Sequence, residues 1–368
     1  MQEKTQVNKI IYLDAAATYQ KSEAVIAKMA DFLRHDYANA GRGVCARAAN
    51  VDVMVQNARK YVANFIGADE NQIVWTAGTT DAMNLIANLI KQKNPQTVAV
   101  SDLDHHSARL PFENIGARVL VCPLDAEYNF DVDNMPVADV LVITAMSNVL
   151  GCGQDVQNII VAARRKNPNV ITVVDAAQYV VHDRIDVKKW DCDFLCFSGH
   201  KIGADTGLGI MYVKNPDDYR PVKFGGGMVL RVDGDKCLWN RAPEKFEAGT
   251  LPLTQIAGVS VAIDELVAKR PNLDLVKFMY DQLSQIERVR IITARDAAVL
   301  SFVVDGMHVL DFGALVGARG LCLRVGNMCA SWICKKLDVD GCARLSVGGY
   351  NTMTDVQNAI DIIKDVVK

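Results

Sequence analysis

The sequence predicts an α/β protein. A large domain is built on a mostly parallel sheet with helices on both faces, and a smaller α+β domain follows toward the C-terminus. Three observations carry this. First, short β-branched and aromatic runs alternate with stretches whose apolar residues recur at helical spacing. Second, the strand-like runs are apolar at nearly every position, as in strands buried on both faces. Third, the alternation stops in the last hundred or so residues. The chain has 368 residues, which at roughly 150 per domain suggests two domains. We place them at 16–266 and at 267–368, the second taking in 1–15.

The elements follow in order. Met54 to Phe65 carries Val55, Ala58, Val62 and Phe65 at helical spacing, and Gly67 closes it as a C-cap. Ile73 to Trp75 reads as a strand and Asp81 to Ile90 as a helix. Val98–Ser101, Val119–Cys122, Leu141–Thr144, Ile171–Val174, Phe194–Phe197 and Gly207–Val213 read as further strands, most of them bounded by turn residues. A helix near Ile256 to Lys269 leads into strands at Ala298–Val304 and Cys342–Val347. The last helix starts at Thr352, with Asp355 positioned for a capping box. Its apolar face carries Val356, Ile360, Ile363 and Val367.

Composition narrows the function. Half the residues are hydrophobic and 23% are charged, which excludes a disordered or collagen-like chain. Lys+Arg number 40 and Asp+Glu 43, a net charge of −3, so nothing electrostatic argues for a nucleic-acid partner. No apolar run approaches the roughly 20 residues of a membrane span. The start, MQEKTQVNK, is polar and lacks the apolar stretch of a secretory signal. These features predict a cytoplasmic protein without a membrane partner. The ten cysteines include no CxxC pair, so they read as reduced thiols and no metal site is expected.

In open α/β sheets ligands gather at the carboxyl ends of strands. After the first strand comes Thr76-Ala77-Gly78-Thr79-Thr80-Asp81, small and hydroxyl residues opening a helix. This suits a phosphate, though on its own it also reads as an ordinary capped helix. The following strands end at Asp104-His105-His106, Ser147-Asn148, Asp175-Ala176-Ala177-Gln178 and Ser198-Gly199-His200-Lys201. Each has a plain reading alone. Together they place histidine, amide, carboxylate, hydroxyl and lysine at one edge of one sheet. That set supports pyridoxal phosphate (PLP) chemistry. A lysine forms a Schiff base, an acid pairs with the pyridine nitrogen, and a helix start holds the phosphate.

The ordered motifs TAGTTDAMN, DHHSA, SNVLG, VDAAQ, FSGHK, KFEAGT and RVGNMCA resemble the class V aminotransferase family. Within it they are most similar to the group II (Suf-type) cysteine desulfurases, with selenocysteine lyase as a close relative. The resemblance runs from YLDAAAT at 12–18 to GGYNT at 348–352. It implies the PLP-dependent transferase fold type I, with PLP as cofactor and L-cysteine as substrate. It also implies a homodimer and a sulfur-acceptor protein as partners.

By this resemblance Lys201 is the Schiff-base lysine and takes the Cα proton, Asp175 pairs with the pyridine nitrogen and Gln178 bonds the ring's phenolic oxygen. His105 stacks on the ring. Thr79, Thr80, Ser198 and His200 hold the phosphate, and Thr250 reaches the phosphate of the neighbouring subunit. Asn148, Arg324 and Arg344 are the substrate-binding residues. Cys329 is the sulfur-accepting nucleophile, carrying a persulfide while L-cysteine becomes L-alanine. The sulfur then serves iron–sulfur cluster or other thio-cofactor assembly. Alternatives are a selenocysteine lyase, a cysteine lyase, an aminotransferase, or a silent scaffold of a sulfur-transfer complex.

The sequence departs from the family at two sets of residues and in length, being shorter in the C-terminal domain and in the segment from Gly225 to Pro243. Before Cys329, where group II relatives typically carry histidine, stand Asn327 and Met328, neither an acid nor a base near neutral pH. In Gly41-Arg42-Gly43-Val44-Cys45, Cys45 replaces a histidine.

Overall fold

The structure, a computed structural model, describes residues 10–41 and 43–368. The polar segment 1–9 and Arg42 lie outside the described residues. The chain forms two compact units. The larger spans 20–146 and 153–268. The smaller comprises the residues up to Tyr19, Ser147–Cys152 and Lys269–Lys368. Compared with the expected boundaries of 16–266 and 267–368, this division assigns 147–152 to the smaller unit.

The larger unit is built on seven strands: β1 (Ile73–Thr76), β2 (Thr97–Val100), β3 (Arg118–Val121), β4 (Val140–Thr144), β5 (Ile171–Asp175), β6 (Phe194–Ser198) and β7 (Gly209–Val213). Their order is β1-β7-β6-β5-β4-β2-β3. Pairing is parallel throughout except at β7, which runs antiparallel to both β1 and β6. Both faces are covered. Val74, Val142, Phe194 and Met211 pack in one core with Met83 and Ile86 of the helix Thr79–Lys91. The alternate residues Trp75, Leu141, Val174, Leu195 and Ile210 are buried as well. This double burial is why the strands read as continuous apolar runs. Helix Ala46–Ile66 starts eight residues earlier than its periodicity predicts and ends at Gly67, with φ +75°. The expected strand at 207 begins at Gly209, because Gly207 takes a turn conformation with φ +82°.

The smaller unit has a four-stranded antiparallel sheet, in the order Val289–Ile291, Leu300–Val304, Cys342–Leu345, Arg324–Gly326. Ile11–Tyr12 pairs in parallel with Leu321–Cys322. The strand expected from Ala298 starts at Leu300, because the Ala298 N–H is committed to the Gly151 carbonyl (3.1 Å). The strand expected to reach Val347 stops at Leu345, and the Ser346 N–H turns to Leu13 O (2.8 Å). The last helix, Met353–Val367, carries the expected capping box: Thr352 Oγ1 accepts from Asp355 N–H, and Asp355 accepts from Thr352 N–H. Its buried face (Val356, Ile360, Ile363, Val367) meets Leu300, Phe302 and Leu345 in one core. Among the described residues no helix is long and apolar enough to cross a membrane.

Candidate active site

In the larger unit most candidate residues sit at or just after the carboxyl ends of β1, β5 and β6, where the sheet's register aligns them, and His105 follows β2. Thr144, Asp175 and Cys196 lie side by side across β4, β5 and β6. Ser198 faces Gly209, which faces Thr76 on the far side. Helix Thr79–Lys91 begins at Gly78, an N-cap residue with no side chain to cap it. Its buried first residue meets the end of β6: Thr79 N–H donates to Ser198 Oγ at 2.8 Å, and the two hydroxyl oxygens lie 2.7 Å apart. Gly209 is required here. A Cβ on it would sit 2.4 Å from Thr76 Oγ1 and 2.5 Å from Gly78 N and Cα. The strand backbone thus passes directly beneath the helix start. Thr80 is exposed on the first turn.

Asp175 is buried, and Ala177 N–H donates to its Oδ1 at 2.9 Å. Burial pushes its carboxyl up to about 6, while that hydrogen bond and the nearby Lys201 ammonium pull it down. Lys201 closes a single helical turn, Gly199–Lys201, directly after β6. His200, between Ser198 and Lys201, is pushed down to about 4 by burial and by the charges of Lys201 and Lys21. It is therefore neutral at pH 7 and can serve as a hydrogen-bond partner but not as a cation. Gln178 is buried just beyond Asp175.

His105 caps the helix His106–Glu113. Its Nδ1 accepts from Ser107 N–H at 3.1 Å, which leaves the ring proton on Nε2. Behind it lies a residue to which the sequence reading assigned no role, Asp104. It is fully buried and accepts from Ser101 N–H (2.8 Å), Ser101 Oγ (3.1 Å) and Thr144 Oγ1 (2.7 Å). Burial pushes this carboxyl up to about 6. Asp104 thereby ties the turn carrying His105 to the end of β4. The local signal was the short Ser101–Asp104 spacing, which suits a side-chain-closed turn.

Thr250 is exposed and lines a cavity of about 280 Å³ with Thr76, Ala77 and Asp81. A second cavity of about 630 Å³, which it shares with Gly226, Gly227 and Leu230, adjoins the hairpin Val229–Asp233/Lys236–Trp239. Cys45 is exposed.

The remaining candidates, Asn148, Arg324, Arg344 and Cys329, belong to the smaller unit. Asn148 follows β4 in sequence, so the sequence reading grouped it with the sheet edge. Its segment is instead held by the smaller sheet: Ser301 Oγ donates to Val149 O at 2.6 Å. Gly151 has φ +63°, and a Cβ there would meet Val299 N at 2.6 Å. Arg344 is 2% exposed. It donates through Nη1 to Asn148 O (2.7 Å) and through Nη2 to Asp14 Oδ1 (3.3 Å). Burial lowers its pKa, and Asp14 offsets that. Arg324, half exposed, pairs with the other oxygen of Asp14 at 2.7 Å. Asp14 is a site residue the sequence reading missed. Among the buried side-chain polar atoms of these candidates, Arg344 Nε and Asn148 Oδ1 have no hydrogen-bond partner. Buried groups of this kind call for an explanation, and a bound ligand supplies one.

Cys329 is exposed on a turn. Met328 and Cys329 both have left-handed backbones, with φ +52° and +55°. Each such residue costs on the order of 1 kcal/mol or more, so the surroundings must impose the conformation. Asn148 Nδ2 donates to Met328 O at 2.9 Å, and Cys329 N–H donates to Asn327 Oδ1 at 3.2 Å.

The larger unit's fold and sheet edge define a fold type I protein, the class of enzymes that work with PLP. The uncapped helix start, the close approach at Gly209 and the Thr79–Ser198 hydroxyl pair fit a phosphate, and a buried carboxylate beside a lysine fits the ring. The comparisons narrow this class. The aminotransferase class-V family model matches residues 11–359. A probable cysteine desulfurase of Vibrio cholerae is 33% identical, covering 98% of this chain and 94% of the relative. A cysteine desulfurase of Escherichia coli O157:H7 is 32% identical, covering 95% and 92%. Among solved structures, an apo cysteine desulfurase of Thermococcus onnurineus superposes with a TM-score of 0.93 at 30% identity, covering 98% and 95%. The cysteine desulfurase CsdA of Escherichia coli, in an S-sulfonic acid form, superposes at 0.90 with 32% identity, covering 97% and 94%. The chain belongs to the class V aminotransferase family, among its cysteine desulfurases, which are PLP-dependent enzymes.

Proposed function

We propose that this protein converts L-cysteine to L-alanine and holds the released sulfur as a persulfide on Cys329. The observation that carries this is Cys329 itself, an exposed thiol on a turn held by amide hydrogen bonds. The larger unit separately supplies a buried carboxylate, Asp175, near the ammonium of Lys201.

Thr79, Ser198, neutral His200 and the uncapped helix start would hold the phosphate of PLP, with Thr80 beside them on the exposed first turn. Asp175, ionised above about pH 6, would hold a proton on the pyridine nitrogen. Gln178 would bond the phenolic oxygen and His105 would stack on the ring. When bound, PLP supplies an electron sink for charge developing at the substrate Cα. Lys201 takes the Cα proton. Arg344, through its unspent Nε–H, binds the substrate carboxylate, and Asn148 Oδ1 accepts from the substrate's polar groups. Arg324 acts through Asp14, which it helps to neutralise. The Cys329 thiolate attacks the substrate sulfur. An S–S bond forms and the Cβ–S bond breaks. The electron pair left at Cβ takes a proton to form the methyl group, and the proton held by Lys201 returns to Cα, giving L-alanine.

Exposure of Cys329 suits hand-over of the sulfur to an acceptor protein for iron–sulfur or other thio-cofactor assembly. Thr250 is exposed, and the neighbouring hairpin presents Leu230, Val232 and Leu238 to solvent. Both features suit a homodimer in which Thr250 reaches the partner's phosphate. Ten free thiols suit the reducing cytoplasm.

The test is L-alanine release from L-cysteine with PLP and a thiol reductant. We expect steady turnover by the wild type and a loss of at least about 100-fold in Cys329→Ala. Equal rates would overturn the role of Cys329 and mean that another thiol, such as the added reductant, accepts the sulfur.

A further inference from the structure

By the resemblance drawn above, Asn327 stands where relatives often carry a histidine. The structure gives its side chain a different task. Its Oδ1 accepts from Cys329 N–H at 3.2 Å, and its Nδ2 donates to Ser331 Oγ at 3.1 Å. Its own carbonyl accepts from Ala330 N–H at 2.9 Å and lies 3.8 Å from Cys334 Sγ, a thiol donor on the helix Ser331–Lys336. One residue therefore bonds to Cys329 itself, to Ala330 after it and to the helix beyond. The two residues between, Met328 and Cys329, are the ones held in the left-handed conformation. Neither is glycine, so the conformation must be imposed from outside, and Asn327 supplies a bond across it. The amide does this without a proton to gain or lose near neutral pH.

We propose that Asn327 is the positioning residue of the sulfur-accepting thiol: its side-chain oxygen fixes the Cys329 backbone, and with it the direction of Sγ. The inference rests on the desulfurase reading above. Asn327 touches neither substrate nor cofactor in this role and acts through Cys329. The feature that matters is the acceptor at Oδ1. Aspartate keeps it and alanine does not, while Ser331→Ala removes only the partner of Nδ2.

The experiment compares wild type with Asn327→Ala, Asn327→Asp, Ser331→Ala and Cys329→Ala, each loaded with PLP. Asn327→Ala should lower kcat for L-alanine release about tenfold, the loss of one hydrogen bond of roughly 1.4 kcal/mol. KM for L-cysteine should stay within about twofold, because the substrate contacts are intact. Asn327→Asp should recover most of kcat, and Ser331→Ala should lose only a few-fold. The same variants are read by hydrogen exchange at the Cys329 amide, which does not depend on turnover. Exchange should quicken about tenfold in Asn327→Ala and return toward wild type in Asn327→Asp. Wild-type kcat and exchange in Asn327→Ala would overturn the proposal. So would an Asn327→Asp variant as slow, and as fast-exchanging, as alanine. Turnover in wild type that is lost in Cys329→Ala shows that the desulfurase reading stands whichever way Asn327 falls. Turnover retained in Cys329→Ala shows that the reading itself has failed.

Discussion

The sheet edge of the larger unit and the Cys329 turn of the smaller one are built on opposite principles. At the sheet edge, backbone register does the positioning. Ser198, Gly209 and Thr76 are neighbours because three strands pair, and Thr144 stands beside Asp175 for the same reason. The side chains there are mostly buried and extend from regular structure. At the Cys329 turn, side chains position the backbone. Asn327 and Asn148 hold two left-handed residues in an exposed loop. The difference predicts where each is fragile. The sheet edge should tolerate the loss of a polar contact but not an added methyl group. The smaller unit should depend on single polar side chains.

The largest effect should come from Asp14, the polar side chain that joins Arg344 and Arg324. Asp14→Ala leaves the Arg344 guanidinium buried with its countercharge removed. Breaking a buried pair in this way costs about 3–5 kcal/mol. We expect a fall in Tm on the order of 10 °C by calorimetry. The double variant Asp14→Leu/Arg344→Met should recover part of that loss, since no buried charge remains. A Tm within 2 °C of wild type in Asp14→Ala, roughly what 1 kcal/mol or less would produce, would break the comparison on the smaller unit's side.

The complementary probe is Gly209→Ala. The new Cβ would lie 2.4–2.5 Å from Thr76 Oγ1 and from the Gly78 backbone, and β1 and the helix start cannot both move aside. Overpacking of this kind costs about 1–3 kcal/mol. Strain at the helix start should weaken PLP retention by about tenfold, read as lost cofactor absorbance after dialysis. Gly226→Ala is the control, since nothing lies within 4 Å of a Cβ there. Equal retention in both variants would mean that the helix start does not hold the cofactor's phosphate.

The same contrast explains what the sequence made legible. Strands β4, β5 and β6 announce themselves because burial on both faces favours an apolar residue at nearly every step. Lys201, Asp175 and His105 are readable because Asp175 closes such a run and the other two follow one within five residues. Strand order and the reversal at β7 are not written locally, since Gly209–Val213 is as apolar as its parallel neighbours. Asp14 was invisible because its partners lie 310 and 330 residues away. Ser147-Asn148 reads as part of the sheet edge by adjacency to β4, whereas hydrogen bonds tie its segment, through Val149 and Gly151, to residues near 300. Asn327 read as a departure from a family pattern, and only coordinates reveal that its amide bridges the turn.

The smallest effect concerns charge at the sheet edge. Asp175, raised from 3.8 to about 6, is protonated in the folded protein at pH values where the unfolded chain is ionised. Its contribution to stability is therefore full below about pH 4 and is lost as pH rises through 6. Cofactor binding runs the other way, because only the ionised carboxylate pairs with a protonated ring nitrogen. PLP affinity of the apoprotein should rise between pH 5 and pH 7, with a carboxylate step near 6 worth about tenfold at pH 5. The cofactor's phosphate also titrates near 6, so the wild-type curve contains two steps. Asp175→Asn should remove one and leave the other. His200 adds nothing in this window, since burial and the neighbouring lysines keep it neutral down to about pH 4. His200→Asn should therefore weaken binding only a few-fold and by the same factor at pH 5 and pH 7. A pH-dependent loss in His200→Asn would show instead that a protonated imidazole holds the phosphate, and that the sheet edge depends on a single charged side chain as the Cys329 turn depends on its amides.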